Sequence, residues 1–159
     1  MKWSCCFLAF LMLATTAFSL NQPGELKGIR TVNVMVADLS DDLVNNGVEK
    51  KTLATTLELA LRTAGLTVLT QGQYNDAVPT ITLQVSVIKE PKGRFFATDI
   101  VLACLENVSD TRTAGMFSAI IWTRDLLQLL GKIDLGRVVD GEKKLADLFL
   151  SDYLLANPK

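Results

Sequence analysis

From Pro79 to Ile88 the side chains alternate without a break: Ile81, Leu83, Val85 and Val87 to one side, Thr80, Thr82, Gln84 and Ser86 to the other. A period of two describes a strand with one apolar and one wet face, the kind that pairs antiparallel. An apolar sheet face has to be covered, so this stretch commits the chain to a sheet with a layer packed on one side. The rest of the sequence supplies the pieces. Glu90-Pro-Lys-Gly-Arg94 is a turn, because proline presets one torsion and glycine permits a positive φ. It joins the first strand to Phe95–Leu105 as a hairpin. Upstream, Arg30–Ala37 alternates through Val32, Val34 and Val36.

Leu53, Leu57, Ala60, Leu61 and Ala64 then fall on one helical stripe. Asn45 or Asn46 is expected to cap that helix near Gly47, and Gly65 stands where a left-handed C-terminal cap belongs. Leu66–Leu69 follows as a short extended segment. Gln71–Asp76 and Glu106–Gly115 read as loops, and Met116–Thr123 as a strand ending at Trp122. Residues 124–134 fit either one helical turn or a lengthened strand end. From Leu135 onward Val138, Glu142, Leu145, Phe149, Tyr153 and Ala156 keep helical spacing, with Gly141 weakening the first turn. Phe149 and Tyr153 should cover the sheet together while Lys143, Lys144, Asp147 and Asp152 face water. The expected fold is α+β, β-α-β-β-β-β-α, a mixed sheet of about five strands with two helices on one face.

Residues 1–19 are an address. Lys2 precedes an apolar run from Cys5 to Ala14, and Ala17-Phe18-Ser19 presents small residues where a signal peptidase reads. The run is shorter than the ~20 residues that a spanning helix needs. Cys5 and Cys6 precede it, whereas a lipidated cysteine follows it. Residues 20–28 read as a flexible leader and 29–159 as one domain, periplasmic or secreted, with no transmembrane segment after cleavage. Cleavage leaves Cys104 as the only cysteine, so no internal disulfide is expected. Its apolar neighbours Ile100, Val101, Leu102 and Leu105 mark it as a buried small hydrophobe.

Chemistry is narrowed mainly by elimination. The chain has no histidine, the commonest general base and metal ligand, and its net charge of -1 argues against nucleic acid as the main partner. It carries no phosphate-cradling Gly-Lys-Ser/Thr run, no Gly-x-Ser-x-Gly elbow and no Cys-x-x-Cys. The best candidate metal site is the acidic turn after the first strand, where Asp38, Asp41 and Asp42 offer oxygen ligands to Ca²⁺ or Mg²⁺ beside Asn45 and Asn46. Carboxylates ahead of a helix also serve its dipole, and their spacing matches no EF-hand. Phe95, Phe96, Trp122 and Arg124 form a candidate aromatic–cation surface for a partner, or else the closing end of a core.

The ending Phe149-Leu-Ser-Asp-Tyr153-Leu-Leu-Ala-Asn157-Pro resembles that of a group of small uncharacterised exported bacterial proteins. They also place a tryptophan at the close of a late strand, here Trp122, before a glycine-bearing connection and a final helix. The resemblance implies a similar element order and no particular activity. A looser architectural similarity is to the N-terminal domain of TolB and to outer-membrane assembly lipoproteins. The expected function is a non-catalytic binding or assembly accessory of the bacterial envelope, with an envelope protein or a second copy as partner and no cofactor. The alternative is a divalent-metal-dependent enzyme, or a metal-stabilised binder, using the acidic turn.

Overall fold

A computed structural model of the chain describes residues 23–158 except 70, 111, 113 and 114. The signal-peptide reading of 1–19 lies outside the described residues. Five strands form one sheet in the order β2-β1-β3-β4-β5. They are β1 (Thr31–Val36), β2 (Thr67–Val68), β3 (Thr80–Lys89), β4 (Phe95–Asp110) and β5 (Gly115–Gly131). β1 runs parallel to both β2 and β3, whereas β3–β4 and β4–β5 are antiparallel. The sheet is therefore mixed and the fold α+β, as the pattern predicts.

Helix α1 (Asp41–Val44) is a single turn, α2 (Lys50–Thr63) joins β1 to β2, and α3 (Val138–Ala156) closes the chain. α2 and α3 touch each other and the same side of the sheet. The cap of α2 differs from the expectation. Gly47 lies outside it with φ +83°, in the bend between α1 and α2, and Glu49 is the N-cap. At the other end the expectation holds. Gly65, at φ +97°, lets its own amide donate to Arg62 O while the Leu66 amide donates to Leu61 O. That pair of bonds is a Schellman closure, and the buried Leu61 and Leu66 accompany it.

The transverse rows of the sheet locate the core. Val34, Ile81, Cys104 and Trp122 are successive cross-strand partners on the helix side, as are Val85, Ile100 and Leu126 two repeats further on. Ile81, Ile100, Cys104 and Trp122 are fully buried there. On the open side Met35, Ile88, Leu127 and Leu129 are exposed.

The hairpin β4–β5 is longer than the sequence pattern suggests. Thr80 pairs with Leu105, so beyond that point β4 and β5 run on as a two-stranded arm. Residues 106–110 read as loop because a ribbon wet on both faces shows no apolar alternation. Residues 124–131 resolve to the strand alternative. At Cys104/Leu105 the register slips, Cys104 facing Trp122 and Leu105 facing Ile120, so Ile121 is the bulged residue.

The leader read at 20–28 meets the core at its end. Residues 23–28 of it are described, and Pro23–Leu26 forms a 3-10 turn whose Leu26 is fully buried. Asn157 Nδ2 donates to Leu26 O at 3.0 Å, and the Gly28 amide donates to Asn157 Oδ1 at 2.7 Å. A leucine with a core slot and two bonds to the end of α3 hold a segment that composition alone reads as loose. Among the described residues no helix is long and apolar enough to cross a membrane.

Candidate functional site

The acidic turn leaves β1 and winds into α1. Ser40, its N-cap, makes no side-chain capping bond, so Asp41 and Asp42 in the first turn serve the positive helix end instead. Asp38 accepts from Lys50 Nζ at 2.7 Å, and its carboxyl lies below the ordinary carboxylate range because of that hydrogen bond and the lysine's charge. Asp42 Oδ1 lies 3.6 Å from Lys89 Nζ. Two of the three carboxylates thus face ammonium groups, and no set of three acidic, Cys or His side chains that could hold a metal occurs among the described residues. Asn46 Nδ2 donates to Asp42 O at 2.7 Å, which fixes the turn from within.

The aromatic–cation set does not form one surface. Phe96 and Trp122 are buried core residues at 1% and 0% exposure, whereas Phe95 is 47% exposed. Trp122 pairs with Cys104, nine residues along β4 from Phe95, a separation of roughly 30 Å at strand rise. Arg94 lies over the Phe95 ring at 5.9 Å, and Lys89 over Phe96 at 5.8 Å. Trp122 packs edge-on to Phe149 with ring centroids 5.0 Å apart and donates through Nε1 to Asp152 Oδ2 at 2.9 Å. Arg124 reaches the same oxygen at 3.5 Å. Asp152, expected in water, is half-buried because the indole N–H needs an acceptor.

Two buried polar residues escape the sequence reading. Asn33 on β1 is 1% exposed, and its amide rivets the 75–80 segment to the sheet. Nδ2 donates to Asn75 O at 2.9 Å and Val78 O at 3.1 Å, and the Asn75 amide donates back to Oδ1 at 3.2 Å. An asparagine inside a valine-rich strand is the available signal. Glu142, on the inner face of α3, is fully buried with neither carboxylate oxygen hydrogen-bonded. Burial pushes its carboxyl up to about 8, against smaller opposing effects from the Lys143 charge and the nearby Leu57 backbone. The Cys104 thiol is pushed up to about 12, chiefly by burial and then by Glu106, so it stays protonated and unreactive at neutral pH.

Between α2 and α3, on the side away from the sheet, lies an open groove of about 510 Å³ lined by Leu59, Ala60, Leu150 and Leu154, with Thr56 and Thr63. The two threonine hydroxyls donate to carbonyls of their own helix, so they do not converge on the groove. A run of exposed apolar side chains lies elsewhere. Met116, Phe117 and Ile120 on the arm are 69%, 55% and 52% exposed, and Leu127 and Leu129 continue along the same strand. β5 is an edge. No strand lies beyond it among the described residues.

No protein family's profile matches this chain, and no curated protein matches it. Among solved structures, the PelC dodecamer from Paraburkholderia phytofirmans superposes with a TM-score of 0.42 at 13% identity, covering 84% of this chain and 92% of that one. A variant of the same PelC in another crystal form gives 0.43 at 13% identity, over 80% and 89%. A minor lipoprotein from Acinetobacter baumannii gives 0.36 at 8% identity, over 77% and 94%.

Proposed function

We propose that the protein is a non-catalytic, exported accessory of the cell envelope that binds another protein through β5 and the β4–β5 arm. The observation that carries this reading is the edge itself. Natural sheets blunt their edges with lysine, proline, very short strands, bulges or inward-pointing charges. β5 carries the Ile121 bulge and Arg124, but runs from Gly115 to Gly131 with no lysine or proline and exposes Met116, Phe117, Ile120, Leu127 and Leu129. Strand addition beside β5 would draw affinity from backbone bonds and selectivity from the alternating side chains. Export rests on the signal-peptide pattern of residues 1–19. The missing histidine and the inert Cys104 support leaving catalysis aside.

In-cell crosslinking of a tagged, exported copy, followed by mass spectrometry, tests the reading. An envelope protein should co-purify with the native chain and be lost with Met116→Ser plus Phe117→Ser. Both side chains are exposed, so the variant should keep its melting temperature. Retrieval of the same proteins by native and variant chains would overturn the assignment to the arm.

A further inference from the structure

We infer that Asn107 braces the β4–β5 arm against the body of the sheet, so that a partner meets the arm as a fixed element. The inference rests on the reading of the arm as a protein-binding surface and names the residue that positions it. Beyond the Thr80–Leu105 pair the arm no longer has β3 beside it, and at the same level the Ile121 bulge breaks its register. A ribbon of two strands is marginal by itself in water, and a bulge lets it bend. Its angle to the sheet therefore depends on ties from the side.

Asn107 supplies one. Its Nδ2 donates to Asp76 O at 2.8 Å, reaching from the arm to the segment that precedes β3. Its Oδ1 accepts from Ser118 Oγ at 2.7 Å, and Ser118 is its cross-strand partner on β5. One amide thus spans both strands of the arm and the loop beside them. That loop is itself held, because Asn75, the residue before Asp76, exchanges two hydrogen bonds with the buried Asn33 on β1. A chain of side-chain amides therefore runs from β1 through residues 75–76 to Asn107 and Ser118. By strand alternation Met116 and Ile120 flank Ser118 on the same face, so the tie sits between two exposed apolar side chains. Both Asn107 bonds are solvent-exposed and add little to global stability; what they fix is orientation. A surface already held in its binding geometry loses less freedom on association.

Spin labels at Met116→Cys on the arm and Leu59→Cys on α2 report that orientation in protein purified after export. Both sites are exposed, and the buried Cys104 thiol stays protonated and takes no label. The pair should give a single narrow distance in the otherwise native chain, and also with Ser118→Ala, which keeps the bond to Asp76. Asn107→Ala removes that bond and should broaden the distribution at an unchanged melting temperature. Equal broadening by Ser118→Ala would assign the hold to the cross-strand bond, and a narrow distance in Asn107→Ala would deny the residue any hold; either overturns the brace. In-cell crosslinking of the unlabelled chains should retrieve about five-fold less envelope protein with Asn107→Ala than with Ser118→Ala, the factor that one net hydrogen bond is worth. Equal retrieval despite a broadened arm would overturn the positioning role and leave the arm as the binding surface. Reduced retrieval with a narrow distance would make Asn107 a direct contact and would equally overturn it. If the native chain retrieves nothing, the reading of the arm falls and the positioning role with it, whereas the brace stands or falls on the distances.

Discussion

Glu142 stands where the inner stripe of α3 calls for a hydrocarbon, between Val138 and Leu145, and it is as buried as either. With neither oxygen hydrogen-bonded, the neutral acid is the form that the site tolerates. The folded protein therefore holds a proton that the unfolded chain releases. Below about pH 4.5 both states are protonated and the residue is neutral to stability. Between there and about pH 8 the folded state alone keeps the proton, so stability falls as pH rises, and above pH 8 the loss levels off. Urea midpoints should decline across that window by an amount worth a few kcal/mol, and Glu142→Gln should flatten this component of the profile. Parallel profiles for the two proteins would remove the explanation. Gly141, one residue earlier, shows how context reverses propensity. Glycine to alanine in a helix ordinarily gains about 1 kcal/mol. Here an added Cβ would run into Ile100 Cδ1 and sit 3.0 Å from Gln128 Nε2. Gly141→Ala should instead destabilise by about 1 kcal/mol net, read as a lower melting temperature.

Single elements behave as their backbone partners allow. The acidic turn carries the composition of a cation site, yet Lys50 and Lys89 reach two of its carboxylates from α2 and the end of β3. Melting temperature should accordingly be flat in millimolar Ca²⁺ or Mg²⁺ and unchanged by chelator. A midpoint that climbs with ion concentration would restore the metal-stabilised alternative. The segment around 75–80 owes its place to one side chain. Asn33→Ala strands the Asn75 amide and the Asn75 and Val78 carbonyls in a part-buried site, and should cost about 2–3 kcal/mol by chemical denaturation. Strands β1 and β3 were legible because each has one apolar and one polar face. The arm was not, since beyond Leu105 its two strands pair with each other outside the helix-covered sheet, and a ribbon of that kind needs no such pattern. Residues 124–131 stayed ambiguous for a related reason: Leu126, Leu127, Leu129 and Leu130 populate both sides of a strand that is last in the sheet among the described residues.

Across the whole molecule, three sequence-distant parts are locked at one end of α3. Trp122 on β5 meets Phe149, Phe149 stacks on Tyr153 at 6.3 Å, and the Tyr153 hydroxyl donates to Ile29 O at 3.0 Å. Asn157 then holds Leu26 and Gly28, so the segment preceding β1 becomes part of the core layer. Phe149→Ala should cost about 3–5 kcal/mol, and an unchanged melting temperature would contradict the packing. Asn157→Ala should release the leader locally, with faster hydrogen exchange at the Gly28 amide and a smaller loss of global stability.

Local periodicity by itself determined the α+β class, the helix cores, the Gly65 closure and the apolar character of Cys104, because each depends on spacing within a few residues. The buried places of Trp122 and Phe96, the lysines on the acidic turn, the orphaned Glu142 and Gln128 and the docked leader belong to the tertiary structure. Each of these depends on which residues meet across the chain, and a one-dimensional pattern carries no record of that. The edge lies between the two: its lack of lysine and proline is written in the sequence, but only the strand order places β5 last.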